Sequence, residues 1–245
     1  TRFHGYDQHT VSAEIKGLIL VTDGQEDQLV DRVEAAVDQR LVMVTDQSPF
    51  YGESGGQVGD TGRISNDEGV FIVTDTQKDA GLLLHFGYLE SGALSPGDPV
   101  EMVFDEEVRH GIRRAHSATH ILHHCLQTNL GTHAQQQGSK VEADWLRFDF
   151  TNMESVSDDL LVKIESDVNA LVAAAEPIQC EVLPLAEARK QGAMMLFGEK
   201  YPDPVRMVTM GEFSRELCGG THLSNTGDIR QFEIISEEAV AAGTR

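Results

Sequence analysis

His116 and His120 stand four residues apart in the run HSATH, and Cys218 and His222 repeat that spacing in CGGTH. Two side chains four apart on a helix project from one face. Three imidazoles and a thiol make the N/N/S/N donor set that Zn2+ prefers. Each half is weak alone, because ten histidines in 245 residues produce an HxxxH pair by accident. Together, with Gly219 and Gly220 between the cysteine and the histidine, they point to one metal site. Cys218 activated by His222 as a nucleophile is the competing chemistry. The thiol is better used as a ligand, and no Ser–His–Asp constellation is legible.

These residues need a helix and a turn to carry them. Residues 106–130 read as one long helix, acidic at its start and closed by Gly131 as the residue after the C-cap. Ile112, Ala115, Leu122, Leu126 and Leu130 make its apolar stripe; His116, Thr119 and His123 fall on or beside it, and His120 lies at its edge. His124 points away, and His123 reads as packing. Residues 145–150 read as a strand, and Ser155 or Ser157 caps a second helix to about 175, ended by Pro177. A short helix at 185–191 and strands at 205–210 and 229–236 follow, with Cys218–His222 as a turn between those strands. Upstream, apolar runs at 17–21, 40–46, 69–75, 82–89 and 98–104 are divided by Gly, Asp, Ser and Pro, as in a small antiparallel barrel. The expected fold class is α+β: a β-barrel domain over 1–105 with a Gly-rich loop at 48–62, then a zinc-binding core over 106–245 with long helices on a sheet.

Composition narrows the function. The net charge of −21 argues against indiscriminate nucleic-acid binding, which needs clustered cations. Arg109, Arg113 and Arg114 form the densest basic patch; Arg206, Arg215, Arg230 and Arg245 are scattered. No apolar stretch approaches the roughly 20 residues of a membrane helix. Cys125, Cys180 and Cys218 are too few for a disulfide framework and suit a reducing, cytoplasmic setting. The opening TRFHGYD lacks Met and the chain stops at AAGTR, as expected of an internal fragment. The Gly-rich loop lacks the Lys-Ser/Thr ending of a phosphate-binding loop.

SGGQVGDTG (54–62), HSATH, GTHAQQQGS (131–139), LRFDF and CGGTH, in this order, resemble the editing region of alanyl-tRNA synthetases along essentially the whole chain. Free-standing alanyl-tRNA editing proteins share these motifs. The resemblance implies hydrolysis of tRNA(Ala) carrying the wrong amino acid on its acceptor end, chiefly Ser and also Gly. It carries a zinc site onto His116, His120, Cys218 and His222, and pocket roles onto Gln136 and Thr119. It implies the other domains of a parent synthetase as partners, and no membrane. A zinc-stabilised tRNA-binding module without catalysis is the alternative from another class. A third is suggested by Gly55-Gly56-Gln57, the GGQ tripeptide with which peptide release factors hydrolyse peptidyl-tRNA. Three residues are a poor signal, and the loop is expected instead to face the second half and close over the tRNA end.

Overall fold

The computed structural model describes residues 1–22, 24, 26–195 and 200–245. They divide into two compact units: Thr1–Ser54 with Val58–Arg109, and Gly55–Gln57 with His110–Arg245. The division thus falls inside the first helix, a few residues beyond the expected boundary at 105, and assigns the tripeptide to the second unit.

The first unit carries β1 (Arg2–Phe3), β2 (Thr10–Val21), β3 (Gln28–Val30), β4 (Val33–Glu34), β5 (Arg40–Thr45), β6 (Gln47–Ser48), β7 (Gly62–Ser65), β8 (Gly69–Asp79), β9 (Leu82–Leu94) and β10 (Pro99–Phe104). Six of them run antiparallel in the order β10-β7-β8-β9-β5-β2, and the β10–β2 pairing closes the barrel. Closure removes the free edges an open sheet would expose. Strand β2 shows why these residues choose strand: Val11, Ala13 and Ile15 turn inward while Thr10, Ser12, Glu14 and Lys16 face out. Ile15, Met43, Phe50, Ile64, Phe71 and Met102 fill the interior.

Arg109 belongs to this unit and corrects the expected basic patch. Its side chain is fully buried and pairs with Asp60, which is equally buried. Its Nε donates to Asp60 Oδ1 at 2.8 Å, and its other nitrogens donate to the carbonyls of Gly5 at 2.8 Å and Pro49 at 3.1 Å. The guanidinium also lies 3.9 Å from the Phe104 ring centre. A cation so enclosed cannot meet a phosphate.

The second unit holds most of α1 (Glu106–Leu130), then β11 (Gln136–Val141), β12 (Leu146–Phe150), α2 (Asp158–Ala173), β13 (Ile178–Leu183), α3 (Leu185–Lys190), β14 (Val205–Met210), β15 (Ser214–Leu217) and a 3-10 turn at Thr226–Ile229. Helix α1 spans the expected residues, and Gly131 follows with φ +111. Strands β11 and β12 form a hairpin with a register shift at Gln136/Gly138; β13, β14 and β15 form an antiparallel sheet. Ile121 and Cys125 of α1, Ile164, Val168 and Val172 of α2, and Val208 and Met210 of β14 share one core.

Helix α2 ends at Ala173, close to the expected end near 175, and Ala175 just beyond takes φ +53. One expectation fails here. Residues 229–236 form no strand. Arg230 adopts φ +74, and the backbone beyond finds side chains in place of a partner strand. Phe232 N–H donates to Asn169 Oδ1 at 3.0 Å, Asn169 Nδ2 donates to the Phe232 carbonyl at 2.8 Å, and Ile234 N–H donates to Glu165 Oε2 at 2.7 Å. Alternating apolar residues thus pack as in a strand while helix side chains satisfy the main chain.

Candidate metal centre

Helix α1 turns His116, Ser117, Thr119 and His120 inward, all buried. Strand β15 delivers Cys218 from the other side, and the chain then leaves the sheet. Arg206 of β14 holds that exit: its Nη1 donates to the carbonyls of Cys218 at 2.9 Å and Gly220 at 2.8 Å, and its own carbonyl accepts from Cys218 N–H at 3.1 Å. Gly220 has no room for a side chain, since a Cβ there would enter the His116 ring and lie 2.9 Å from Gln57 Oε1.

The ligand atoms of His116, His120, Cys218 and His222 lie within 4.8 Å of one another. Cys218 Sγ is 3.4 Å from both His116 Nε2 and His222 Nε2. Four-coordinate zinc, with bonds of about 2.0 Å to nitrogen and 2.3 Å to sulfur, has N···S edges of about 3.5 Å. The donor set therefore fits by type, and both sulfur–nitrogen distances match such an edge.

The opposite nitrogen of each ring faces a polar group, by hydrogen bond at His116 and His222 and at ion-pair distance at His120. His116 Nδ1 lies 2.8 Å from Gln57 Oε1, His222 Nδ1 3.2 Å from Ser117 Oγ, and His120 Nδ1 3.3 Å from Glu216 Oε2. An amide, a hydroxyl and a carboxylate thus orient the three rings, as supporting groups do at metal sites. Charge follows the same plan. Burial works against a Cys218 thiolate, but the neighbouring imidazoles, His116 foremost, outweigh it and hold the thiol well below its usual 9.0. Burial, reinforced by His116, lowers His222 to about 3 and keeps it neutral. Burial likewise opposes charge on His120, yet the Glu216 carboxylate prevails and raises it well above 6.5, so a metal must displace its proton. Burial also opposes ionisation of Glu216, but His120 holds its carboxyl below the usual carboxylate range.

His123 is buried against Phe148, with ring centres 5.1 Å apart, and its Nδ1 is 3.6 Å from Glu216 Oε1; it is outside the four-residue cluster, as is His124. Burial pushes the Cys125 thiol up to about 12, which suits a packing residue. Thr119 lies one position before His120, and its hydroxyl donates to the Ala115 carbonyl at 2.9 Å. Gln136 opens β11, and its Nε2 donates to Ser139 Oγ at 3.2 Å. Ser117, Glu216, Arg206 and Gln57 escaped the reading of the sequence as parts of this site. For Ser117 and Glu216 a signal existed, since each adjoins a metal-site motif.

Residues 1–108 match the family profile of class II (A) tRNA synthetases, and residues 205–245 match the second additional domain of threonyl and alanyl tRNA synthetases. The alanine–tRNA ligase of Rhodopirellula baltica is 53% identical over 248 residues, covering all of this chain and 26% of its own length. From end to end, the chain is similar to alanine–tRNA ligases. Those of Methylobacillus flagellatus and Dichelobacter nodosus are 49% and 46% identical, again across the whole chain and 27% and 28% of their own lengths. The chain thus spans about a quarter of the alanine–tRNA ligases it matches. The resemblance carried by the five motifs extends to the full sequence. Among the described residues, no helix is long and apolar enough to cross a membrane.

Proposed function

We propose that this chain is the editing region of an alanyl-tRNA synthetase and hydrolyses tRNA(Ala) bearing Ser or Gly. The carrying observation is the convergence of His116 and His120 on Cys218 and His222, stretches 102 residues apart in the sequence. A synthetic pocket sized for Ala admits Gly, and it rejects poorly a residue that adds only a hydroxyl. A second, hydrolytic site would restore fidelity.

His116, His120, Cys218 and His222 would hold Zn2+, which when bound supplies a Lewis-acid centre for the aminoacyl group or a water. The ester is already reactive, so holding a water against its carbonyl supplies much of the acceleration. Water adds to the carbonyl carbon, the bond to the terminal ribose oxygen breaks, and the free amino acid and an intact tRNA hydroxyl leave. Gln136, with Nε2 tied to Ser139, offers Oε1 to a seryl hydroxyl. Thr119, whose proton goes to Ala115, presents its oxygen as an acceptor. The remaining domains of a cytoplasmic parent enzyme would supply most of the grip on tRNA, because a net charge of −21 with Arg109 buried leaves little cationic surface for it.

The test compares hydrolysis of seryl- and alanyl-tRNA(Ala) by this chain, with zinc measured on the same sample. Seryl-tRNA(Ala) is cleaved, alanyl-tRNA(Ala) is spared, and Cys218→Ala abolishes cleavage while lowering zinc content. Full activity in metal-free protein refutes the metal's role and transfers the chemistry to Cys218 and His222. Zinc and tRNA binding without cleavage leaves a zinc-stabilised tRNA-binding module.

A further inference from the structure

Gln57, the last residue of the Gly55-Gly56-Gln57 tripeptide, is wholly buried. Its Oε1 accepts from Thr221 N–H at 2.8 Å and lies equally close to His116 Nδ1; its Nε2 donates to Thr221 Oγ1 at 3.0 Å. The Thr221 amide can only donate, which identifies the Gln57 atom facing it as the oxygen. An acceptor at that position requires His116 Nδ1 to carry the proton, so Nε2 holds the lone pair. Nε2 is the nitrogen 3.4 Å from Cys218 Sγ.

We propose that Gln57 is a positioning residue of the metal centre: its one amide fixes the ligating tautomer of His116 and ties the CGGTH turn to α1. The tripeptide also reaches β11. Val141 N–H donates to the Gly56 carbonyl at 2.8 Å, and Gly56, at φ +84, sits where a Cβ would strike Ser139. Ser139 Oγ in turn accepts from Gln136 Nε2. A continuous run of contacts thus leads from Gln136 through Ser139 and Gly56 to Gln57 and His116. With its amide oxygen and nitrogen engaged and no exposed surface, Gln57 cannot present itself to an ester as the release-factor tripeptide does.

This inference rests on the metal reading above, and its test needs no deacylation assay. Zn2+ affinity is measured on the full chain by competition with a chromophoric chelator, and Co2+ absorption spectra report the ligand geometry. Gln57→Met keeps the length of the side chain but removes both hydrogen-bonding atoms; Gln57→Glu keeps the acceptor. Gln57→Met should weaken zinc binding about 10- to 100-fold and alter the cobalt spectrum, while Gln57→Glu stays within about threefold of the parent. A purely structural glutamine would lower the melting temperature of both metal-free variants without moving affinity or spectrum. Folded Gln57→Met with parental affinity and spectrum overturns the proposal. Should Gln57→Met not fold, a tenfold loss in Gln57→Glu overturns it equally. A parent chain that binds no zinc overturns this inference together with the metal reading; binding by the parent and Gln57→Met alike overturns this inference alone.

Discussion

At the residue scale, the candidate metal ligands differ in legibility from the groups that face them. His116, His120, Cys218 and His222 declare themselves because two pairs with the same spacing, one bearing a thiol, occur in one chain. Gln57, Ser117 and Glu216 do not, because an amide, a hydroxyl and a carboxylate are common types whose role depends on which atom they face. Arg206, one of the scattered basic positions of the sequence, holds the carbonyls of Cys218 and Gly220. Gly220 yields a sharp prediction. Gly220→Ala should cut zinc content to near nothing by displacing the His116 ring, as elemental analysis of the purified variant would reveal. Gln136→Ala should slow seryl-tRNA(Ala) cleavage about 10-fold or more at unchanged zinc content and melting temperature. Parental rates would remove it from the pocket.

At the element scale, long periodic segments were readable and short or capped ones were not. Helix α1 is legible because 25 residues of apolar periodicity end at a glycine. Strands β7 and β11 carry too few apolar residues to be distinguished from loops. Residues 229–236 carry strand-like alternation, but Asn169 and Glu165 supply the hydrogen bonds a neighbouring strand would give. Within the barrel, His85 is fully buried, its Nδ1 3.0 Å from the Met43 carbonyl and its Nε2 2.8 Å from Ser48 Oγ. Burial, only partly offset by the Met43 carbonyl, lowers it from the usual 6.5 to about 4. The fold favours the neutral ring, so this contribution is complete above pH 6.5 and is lost as pH falls from 6.5 towards 4. The loss amounts to about 3 kcal/mol. Denaturant melts from pH 7 to 4.5 should show a shallower pH dependence for His85→Gln than for the parent.

At the scale of the whole molecule, the sequence indicated two differing halves and a strongly acidic surface, but not that an arginine from the expected basic patch would serve as core. Arg109→Met should strand Asp60 without its cation and cost about 3–5 kcal/mol in chemical denaturation. A metal held by residues 116 and 218, 102 residues apart, would bind the folded second unit and not its unfolded chain, which at a thousandfold excess over Kd is worth about 4 kcal/mol. Chelation should therefore lower the calorimetric transition of the second unit by about 10 °C and leave that of the barrel in place. The same interval sets a schedule for synthesis. At about 5–20 residues per second, the ribosome needs roughly 5–20 s to pass from the first imidazole to the sulfur. Throughout that wait the nascent helix offers two nitrogens to any passing cation. The thiol and the last imidazole follow only after that interval, so the four-residue centre cannot form until residue 222 has been made.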